Sequence, residues 1–264
     1  MTNNKRNQRK RQLNMELSVL PTLMPLTDCQ IYLINQTTSP ELLQNLIQMA
    51  RQTTEFTIDT EQDYSTHQPA LIQIQFIRAN SLVLLIEACH LPHSSSVLFW
   101  LIRALLKIIL RSSNVFFSWG DPILELESFV PFGLFSLDNI YQLTTVDVQR
   151  EFKTWYNHRF PHTCAYPPFH DDSPDCTCRH RPVKNPNNQW SLQRAIAYTF
   201  HEFLDKSCTK SNWSRPLTLR RHSNVYQYSV LANKKVKQMH EDLILYAVND
   251  CLAVTKLMLL LDLN

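Results

Sequence analysis

The sequence predicts an α/β protein in which helices flank a mixed β-sheet. Residues 70–77 alternate between apolar and polar side chains, and residues 81–86 form a continuous apolar run. An alternating strand followed by a wholly apolar one favours an antiparallel meander whose inner strand is covered on both faces. Strand-like and helix-like patterns then alternate as far as residue 148, which is typical of a sheet that carries helices on its faces.

The composition favours a single intracellular domain. A chain of 264 residues is within the range of single α/β domains. The seven cysteines have no regular spacing and no signal peptide precedes them, so we expect a reducing compartment in which thiols stay free or bind metal. The most apolar helical pattern, residues 97–110, is too short to cross a bilayer, and we expect no membrane partner.

The first 22 residues predict a disordered basic arm, and residues 23–264 predict the folded domain. Five cations occur in the arm among Asn and Gln residues, with no acid before Glu16. Three interpretations stay open: a nuclear-localisation signal, a phosphate-binding tail or a solubilising terminus. The first of these favours the nucleus over the cytoplasm. The cations are Lys5, Arg6, Arg9, Lys10 and Arg11.

A strand at residues 30–34 is followed by a helix that is expected to end near Arg51. Ser39 is a typical N-cap, Pro40 suits the first helical position, and Glu41 is an acid in the first turn. These three signals together place the start of the helix at Pro40.

The next strand, at residues 54–61, ends in two carboxylates. Residues two apart in a strand point to the same face, so Asp59 and Glu61 project side by side. Two anionic groups this close repel each other unless a cation lies between them. Hard ions such as Mg²⁺ and Mn²⁺ prefer carboxylate oxygens, so we interpret the pair as half of a metal site. The alternative is a strand end whose acids simply face water.

A strand at residues 114–118 leads to a helix whose start holds a third acid, Asp121. This residue precedes Pro122, which is the pattern of a helix N-cap. A structural cap alone accounts for the local sequence, but a capping residue can also bind a metal. We predict Asp121 as a metal-site residue, with Glu125 and Glu127 as its substitutes.

The last helical pattern, residues 241–259, places Tyr246 and Asp250 four residues apart on one face. A strand that ends in acids, an acid at a helix start and a final Tyr-x-x-x-Asp helix resemble the DEDDy 3′→5′ exonucleases. These are the ribonuclease D and Werner-type branch of the ribonuclease H-like superfamily. The Trp190-Ser191-Leu192 start of a helix to about residue 204, and the Asn212-Trp213-Ser214 segment, are also similar to that family.

The resemblance extends over about residues 28–262 and implies a ribonuclease H-like fold. It implies hydrolysis of DNA or RNA from a free 3′ end, assisted by two Mg²⁺ or Mn²⁺ ions about 3.5–4 Å apart. Tyr246 would orient the attacking water, because an ordinary phenol pKa near 10 makes it a positioning group rather than a base at neutral pH. The implied metal ligands are Asp59, Glu61, Asp121 and Asp250.

Residues 151–189 depart from the family and predict an inserted loop. Between residues 162 and 180 it contains three cysteines and three histidines, and this Pro- and Asp-rich stretch cannot build an apolar core of its own. A structural Zn²⁺ with thiolate and imidazole ligands is one way to order it, and a flexible or substrate-contacting loop is the alternative. The candidate ligands are Cys164, Cys176, Cys178 and His180.

Between residues 206 and 238 the chain carries cations but no acid. Aromatic residues are interleaved with these cations, which favours phosphate contacts and base stacking over a merely solvated loop. The candidate nucleic-acid-binding residues are Trp213, Arg215, Arg220 and Arg221.

These patterns predict a metal-dependent 3′–5′ exonuclease, which is a phosphodiester hydrolase. Two other classes stay open. One is a catalytically inactive nucleic-acid-binding or scaffolding protein on the same fold, and the five site residues in the right order count against it. The other is a protein-interaction module whose acids are coincidental, and the acid-free basic segment counts against that.

Overall fold

The computed structural model describes residues 3–26, 28–161, 189–217 and 230–263. The strands of this part are β1 (Cys29–Ile34), β2 (Glu55–Gln62), β3 (Pro69–Phe76), β4 (Ser81–Glu87), β5 (Val115–Ser118) and β6 (Thr144–Asp147). The α-helices are α1 (Asn3–Leu17), α2 (Pro40–Arg51), α3 (Val97–Ile109), α4 (Pro122–Glu127), α5 (Leu137–Tyr141), α6 (Val148–Arg159), α7 (Leu192–Phe200) and α8 (Val230–Leu260). Short 3₁₀ helices lie at Ala88–His90, Val130–Phe132 and Ser207–Lys210.

The six strands form one mixed sheet in the order β1-β4-β3-β2-β5-β6. The central strands β2, β3 and β4 are an antiparallel meander, whereas β1 pairs with β4, β5 with β2 and β6 with β5 in parallel. β4 is buried along its whole length, as its continuous apolar run predicts. The predicted α/β class, a mixed sheet flanked by helices, is therefore confirmed.

Different helices cover the two faces of the sheet. Phe56 and Ile58 of β2 belong to the core that α2 and α3 build on one face. The intervening residue Thr57 points the other way and bonds to α8. Because side chains alternate along a strand, Asp59 and Glu61 also lie on the face that α8 covers.

Helix ends follow the predicted signals in most places. Ser39 caps α2 by accepting the backbone N–H of Leu42, and α2 ends at Arg51 as predicted. Ser191 likewise caps α7. That helix ends at Phe200 rather than near residue 204, because His201 adopts a left-handed conformation with φ of 56°.

The N-terminal segment differs from the predicted disordered arm. Residues Asn3–Leu17 form α1, whose sequence contains many good helix formers such as Lys, Arg and Gln. The helix is attached to the domain by the side chain of Asn14, which donates to Asp205 Oδ1 at 2.9 Å. A local amino-acid pattern does not reveal such a long-range hydrogen bond, which is why the sequence alone predicts disorder.

The predicted inserted loop, residues 151–189, also begins differently. Its first part is helical, since α6 continues to Arg159 and buries Phe152 and Tyr156. Asp147 caps this helix by accepting the backbone N–H groups of Gln149 and Arg150.

α8 is the longest helix of the described chain. The segment Val236–Leu260 of this helix is long and apolar enough to cross a membrane. However, 72% of the most apolar stretch of that segment is buried inside the fold. The helix packs on β2, β3 and β5, as a core helix does.

Candidate metal centre and active site

Three carboxylates from β2 and α8 form an acidic cluster. Asp59 and Glu61 point toward α8, and Asp250 lies on the buried side of that helix, with 1% of its surface exposed. One carboxylate oxygen from each residue lies within 4.8 Å of the other two. The oxygens are close enough for one hard divalent cation to bind all three residues.

A buried chain of hydrogen bonds sets the position of α8 against the sheet. Thr57 Oγ1 and Thr255 Oγ1 lie 2.7 Å apart, and the Thr255 hydroxyl donates to Gln75 Oε1 at 2.6 Å. Thr57 precedes Asp59 by two residues, and Thr255 follows Asp250 by five. The same contact therefore fixes how the acids of β2 and α8 face each other.

The end of β2 is held by Asp63, which is buried. The pairing of β2 with β3 shifts immediately after Glu61. The Asp63 carboxylate accepts the Ser214 hydroxyl at 2.6 Å and the Ser214 backbone N–H at 3.0 Å. These hydrogen bonds, the hydroxyl first, hold the pKa of Asp63 below its usual range. They also tie the Asn212-Trp213-Ser214 segment to the end of β2.

The acidic cluster is short of positive charge. Burial raises the pKa of Asp59 to about 8, with further increases from the charges of Asp250 and Glu125. Burial and then Asp59 raise the pKa of Glu61 well above its usual range, and burial also raises the pKa of Asp250. A divalent cation would counter both burial and repulsion, because it stabilises the ionised form of each acid. The donor set therefore fits a bound Mg²⁺ or Mn²⁺.

Lys206 is the nearest cation to the cluster among the described residues. Its Nζ lies 2.5 and 2.6 Å from the two carboxylate oxygens of Asp250. It also lies 4.9 Å from the centre of the Tyr246 ring. Burial by itself would lower the pKa of Lys206, but Asp250, Tyr246 and Asp59 bring it above the usual range, so the ammonium stays charged. From the sequence, Lys206 is recognisable only as the first cation of the basic segment, because its pairing with Asp250 is a tertiary contact.

Gln73 on β3 is a further polar residue beside the cluster. It is fully buried and pairs with Asp59 across β2 and β3, so both side chains lie on the same face of the sheet. Neither its Nε2 nor its Oε1 has a hydrogen-bond partner in the described structure. A buried amide without a partner is costly, and an ion or water held by the acids would satisfy it.

Tyr246 lies one helical turn before Asp250 and is 5% exposed. Its hydroxyl is 3.0 Å from Thr209 Oγ1 and 3.4 Å from Lys206 Nζ. Burial, followed by the charge of Asp250, raises the pKa of Tyr246 above its usual range. The phenol is therefore protonated at neutral pH and able to donate a hydrogen bond, as predicted for a group that orients water.

The structure does not bring Asp121 into the three-carboxylate cluster. Asp121 is exposed and caps α4, since its Oδ1 accepts the backbone N–H of Ile123 at 2.9 Å. Glu125, one turn later, is turned toward β2 and accepts the Thr60 hydroxyl at 3.1 Å. Partial burial raises the pKa of Glu125, and its charge raises the pKa of Asp59. Of the acids on α4, Glu125 is thus electrostatically linked to the cluster, whereas Asp121 has the contacts of a cap.

Trp213 does not present a face for base stacking. It is 3% exposed and packs against Tyr246, with ring centres 5.7 Å apart. The indole is instead part of the core that supports Tyr246, so it is not accessible for the predicted base stacking. Arg215 is exposed and stays a candidate for phosphate contacts. The other predicted binding and zinc residues lie outside the described residues, namely Arg220, Arg221, Cys164, Cys176, Cys178 and His180.

Several solved structures are similar to this chain. The EXO domain of Aedes aegypti Nibbler is 14% identical, with a TM-score of 0.46, and the match covers 87% of this chain and 88% of that one. Escherichia coli RNase D, an exoribonuclease involved in structured RNA processing, is 18% identical with a TM-score of 0.47, over 90% of this chain and 45% of that one. Trypanosoma brucei RNase D in complex with RNA U12 is 11% identical with a TM-score of 0.49, over 88% and 62%. No protein-family model and no curated protein matches the sequence.

Proposed function

We propose that this chain is a metal-dependent nuclease that hydrolyses phosphodiester bonds. The observation that carries the proposal is the cluster of Asp59, Glu61 and Asp250, with Tyr246 one helical turn from Asp250. Acids whose pKa values are raised, first by burial and for Asp59 and Glu61 also by neighbouring acids, are a costly arrangement, and such perturbed groups concentrate at functional sites. Binding of a divalent cation would explain why the acids are clustered, whereas packing of the hydrophobic core would not.

Each residue has a role that follows from its position. Asp59, Glu61 and Asp250 supply oxygen ligands, and Glu125 supplies a fourth carboxylate from α4. Two divalent ions bound there would activate a water molecule and stabilise the leaving 3′ oxygen. The protonated phenol of Tyr246 orients the attacking water by a hydrogen bond. Asp121 stays a candidate ligand until it is compared with Glu125.

The substrate we propose is DNA or RNA with a free 3′ end, from which mononucleotides are released one at a time. The resemblance of the Tyr-x-x-x-Asp helix and the Asp-x-Glu strand to the DEDDy exonucleases supports this direction. We propose that the protein is inside the cell, in the nucleus or the cytoplasm, because the four cysteines among the described residues are free and the N-terminal segment is basic.

A catalytically inactive nucleic-acid-binding protein on the same fold is the second candidate. The observation that favours it is Lys206, whose ammonium already neutralises Asp250. An acidic cluster that contains its own cation needs less metal to be stable. Metal binding and hydrolysis distinguish the two candidates.

The test is a titration of Mn²⁺ with single strands labelled at either end. A 3′→5′ exonuclease releases the 3′ label at once as a mononucleotide, whereas the 5′ label passes through a ladder of shortening products. The control is Asp59→Asn combined with Glu61→Gln, which we expect to stay folded and to lose hydrolysis. Binding without hydrolysis by the wild-type protein would support the inactive candidate, and undiminished hydrolysis by the double variant would remove the acids from the active site.

A further inference from the structure

A cavity of about 570 Å³ adjoins the acidic cluster. It lies between α1, the start of α7 and the 3₁₀ helix Ser207–Lys210, and Tyr246 forms part of its wall. Its size falls within the ~300–1,000 Å³ that is usual for ligand sites. Cations line the cavity from both sides: two come from α1, one from the 3₁₀ helix and one from the residue just before that helix. The residues on which the argument depends are Lys10, Arg11, Asn14, Lys206, Lys210 and Tyr246.

Asn14 attaches the α1 wall of this cavity to the rest of the domain. Its side-chain oxygen accepts the backbone N–H of Lys206 at 2.8 Å and the Gln193 amide at 2.6 Å. Its side-chain nitrogen donates to Asp205 Oδ1 at 2.9 Å. Lys10 lies one helical turn before Asn14, so this residue also determines where the cations of α1 stand.

Lys206 links the cavity to the acidic cluster. Its backbone N–H is bonded to α1, and its ammonium is bonded to Asp250. A single residue, Lys206, therefore contacts both α1 and the proposed reaction centre. A ligand in the cavity would lie beside Tyr246, between cations that suit phosphate groups.

We propose that this cavity binds the sugar–phosphate backbone of a single nucleic-acid strand next to the bond to be hydrolysed. Lys10, Arg11 and Lys210 contact the phosphates, and Asn14 is the positioning residue that keeps α1 in place. This inference rests on the proposed nuclease function, because it assigns the substrate path of that same site. It also gives the basic N-terminal segment a role that its sequence alone leaves open among three.

Binding is measured in the Asp59→Asn/Glu61→Gln background with EDTA, so that neither metal nor hydrolysis contributes. A fluorescent single strand with a free 3′ end is titrated into the full-length chain at several salt concentrations. Lys10→Gln with Arg11→Gln is expected to weaken binding on the order of tenfold and to reduce the salt slope by about 1.4, which is ~0.7 per phosphate contact. The matched control is Lys107→Gln with Arg111→Gln, two exposed cations on and after α3 at the opposite face of the sheet, and it should bind like the parent.

Asn14→Ala tests the position of α1 independently of its charge. All cations of α1 remain in this variant. We nevertheless expect the same loss of affinity and of salt slope as for Lys10→Gln with Arg11→Gln, because α1 is no longer held beside Lys206. A strand with a photoreactive thiopyrimidine near its 3′ end should crosslink to peptides containing residues 10–18 or 191–210. Parental affinity and salt slope in the α1 variants, or crosslinks only elsewhere, would overturn the proposal. Hydrolysis by the wild-type protein together with such a result would leave the nuclease function intact.

Discussion

At the scale of single residues, Lys206 sets the charge of the cluster when no metal is bound. Its ammonium and a metal ion compete for the same carboxylate of Asp250. At about 4 Å and an effective dielectric constant of about 20, two unit charges interact by about 4 kcal/mol. An interaction energy of this size is large enough that loss of the Lys206 charge should change the affinity of the cluster for metal.

We expect Lys206→Gln to bind Mn²⁺ at least about tenfold more tightly than the parent, because the competing charge is lost. Calorimetric titration of Mn²⁺ measures this directly. Lys210→Gln, a change four residues away that leaves the Asp250 pair intact, should show the parental affinity. Weaker Mn²⁺ binding by the Lys206 variant would mean that the lysine supports Asp250 rather than competing with metal.

The raised carboxylate pKa values predict an unusual pH dependence. Asp59 takes up a proton near pH 8 in the folded state but near pH 4 in the unfolded chain, so the folded state binds more protons between these values. The free energy of unfolding of the metal-free protein should therefore fall as pH rises from about 4 to about 8. Asp63, with its lowered pKa, acts at more acidic pH and does not offset this.

Thermal melts in EDTA between pH 5 and pH 9 measure the effect. Saturating Mn²⁺ should remove most of the fall, because bound metal keeps the acids ionised. Asp59→Asn/Glu61→Gln should flatten the profile and raise the melting temperature at pH 8 by at least about 2–4 °C, which corresponds to about 1 kcal/mol. A melting temperature that does not vary with pH in the metal-free parent would contradict the assignment.

Loss of the Tyr246 hydroxyl should lower turnover, whereas loss of the Asp250 carboxylate should lower metal affinity. Tyr246→Phe is expected to leave Mn²⁺ and nucleic-acid affinity nearly unchanged and to lower kcat about 10²-fold, because a misplaced water costs turnover rather than binding. Asp250→Asn should weaken metal binding itself. Parallel Mn²⁺ titrations and single-turnover assays separate the two, and an equal loss of metal affinity in both variants would show that the residues do not divide these roles.

At the scale of elements, α4 and its N-cap carry three acids with different contacts. Asp121→Asn should keep activity within about twofold, because Asn is as good an N-cap as Asp. Glu125→Gln should lower metal-dependent hydrolysis on the order of 10²-fold, because it removes a carboxylate linked to Asp59. Glu127→Gln is the matched control, since this acid bonds to Tyr141 instead. The reverse ranking of the first two variants would restore Asp121 as the ligand.

The strands and helices themselves follow from local patterns to a large extent. The continuous apolar run predicts β4, and Ser39 with Pro40 predicts the start of α2, because burial and capping act within a few residues. α1 and α6 are not predicted by such patterns. α1 is held by the long-range bonds of Asn14, and most of α6, from residue 151 to Arg159, falls within the predicted insertion.

At the scale of the whole molecule, the zinc content of the protein tests the predicted zinc ligands. If Cys164, Cys176, Cys178 and His180 bind Zn²⁺, elemental analysis of the purified protein should give nearly one zinc per chain. Cys176→Ser should remove it, because a tetrahedral site needs all four ligands. Cys208→Ser, a cysteine in the 3₁₀ helix, is the control that should keep the metal. Zinc-free wild-type protein would discard the site.

The sequence by itself determined the fold class and the acids on β2 and α8. Asp59 and Glu61 follow from the two-residue period of a strand, and Tyr246 and Asp250 from the near-four-residue period of a helix. These spacings are properties of one element, so they can be deduced before the chain is folded.

Only the tertiary structure decided which groups meet. It placed Lys206 on Asp250, gave Glu125 rather than Asp121 the contact with β2, and buried Trp213 behind Tyr246. It also brought α1 to the edge of the site through Asn14. The physical reason is that charge pairing, burial and cavity shape depend on the distance between side chains in space. That distance is set by the packing of elements far apart in the chain, which no local pattern records.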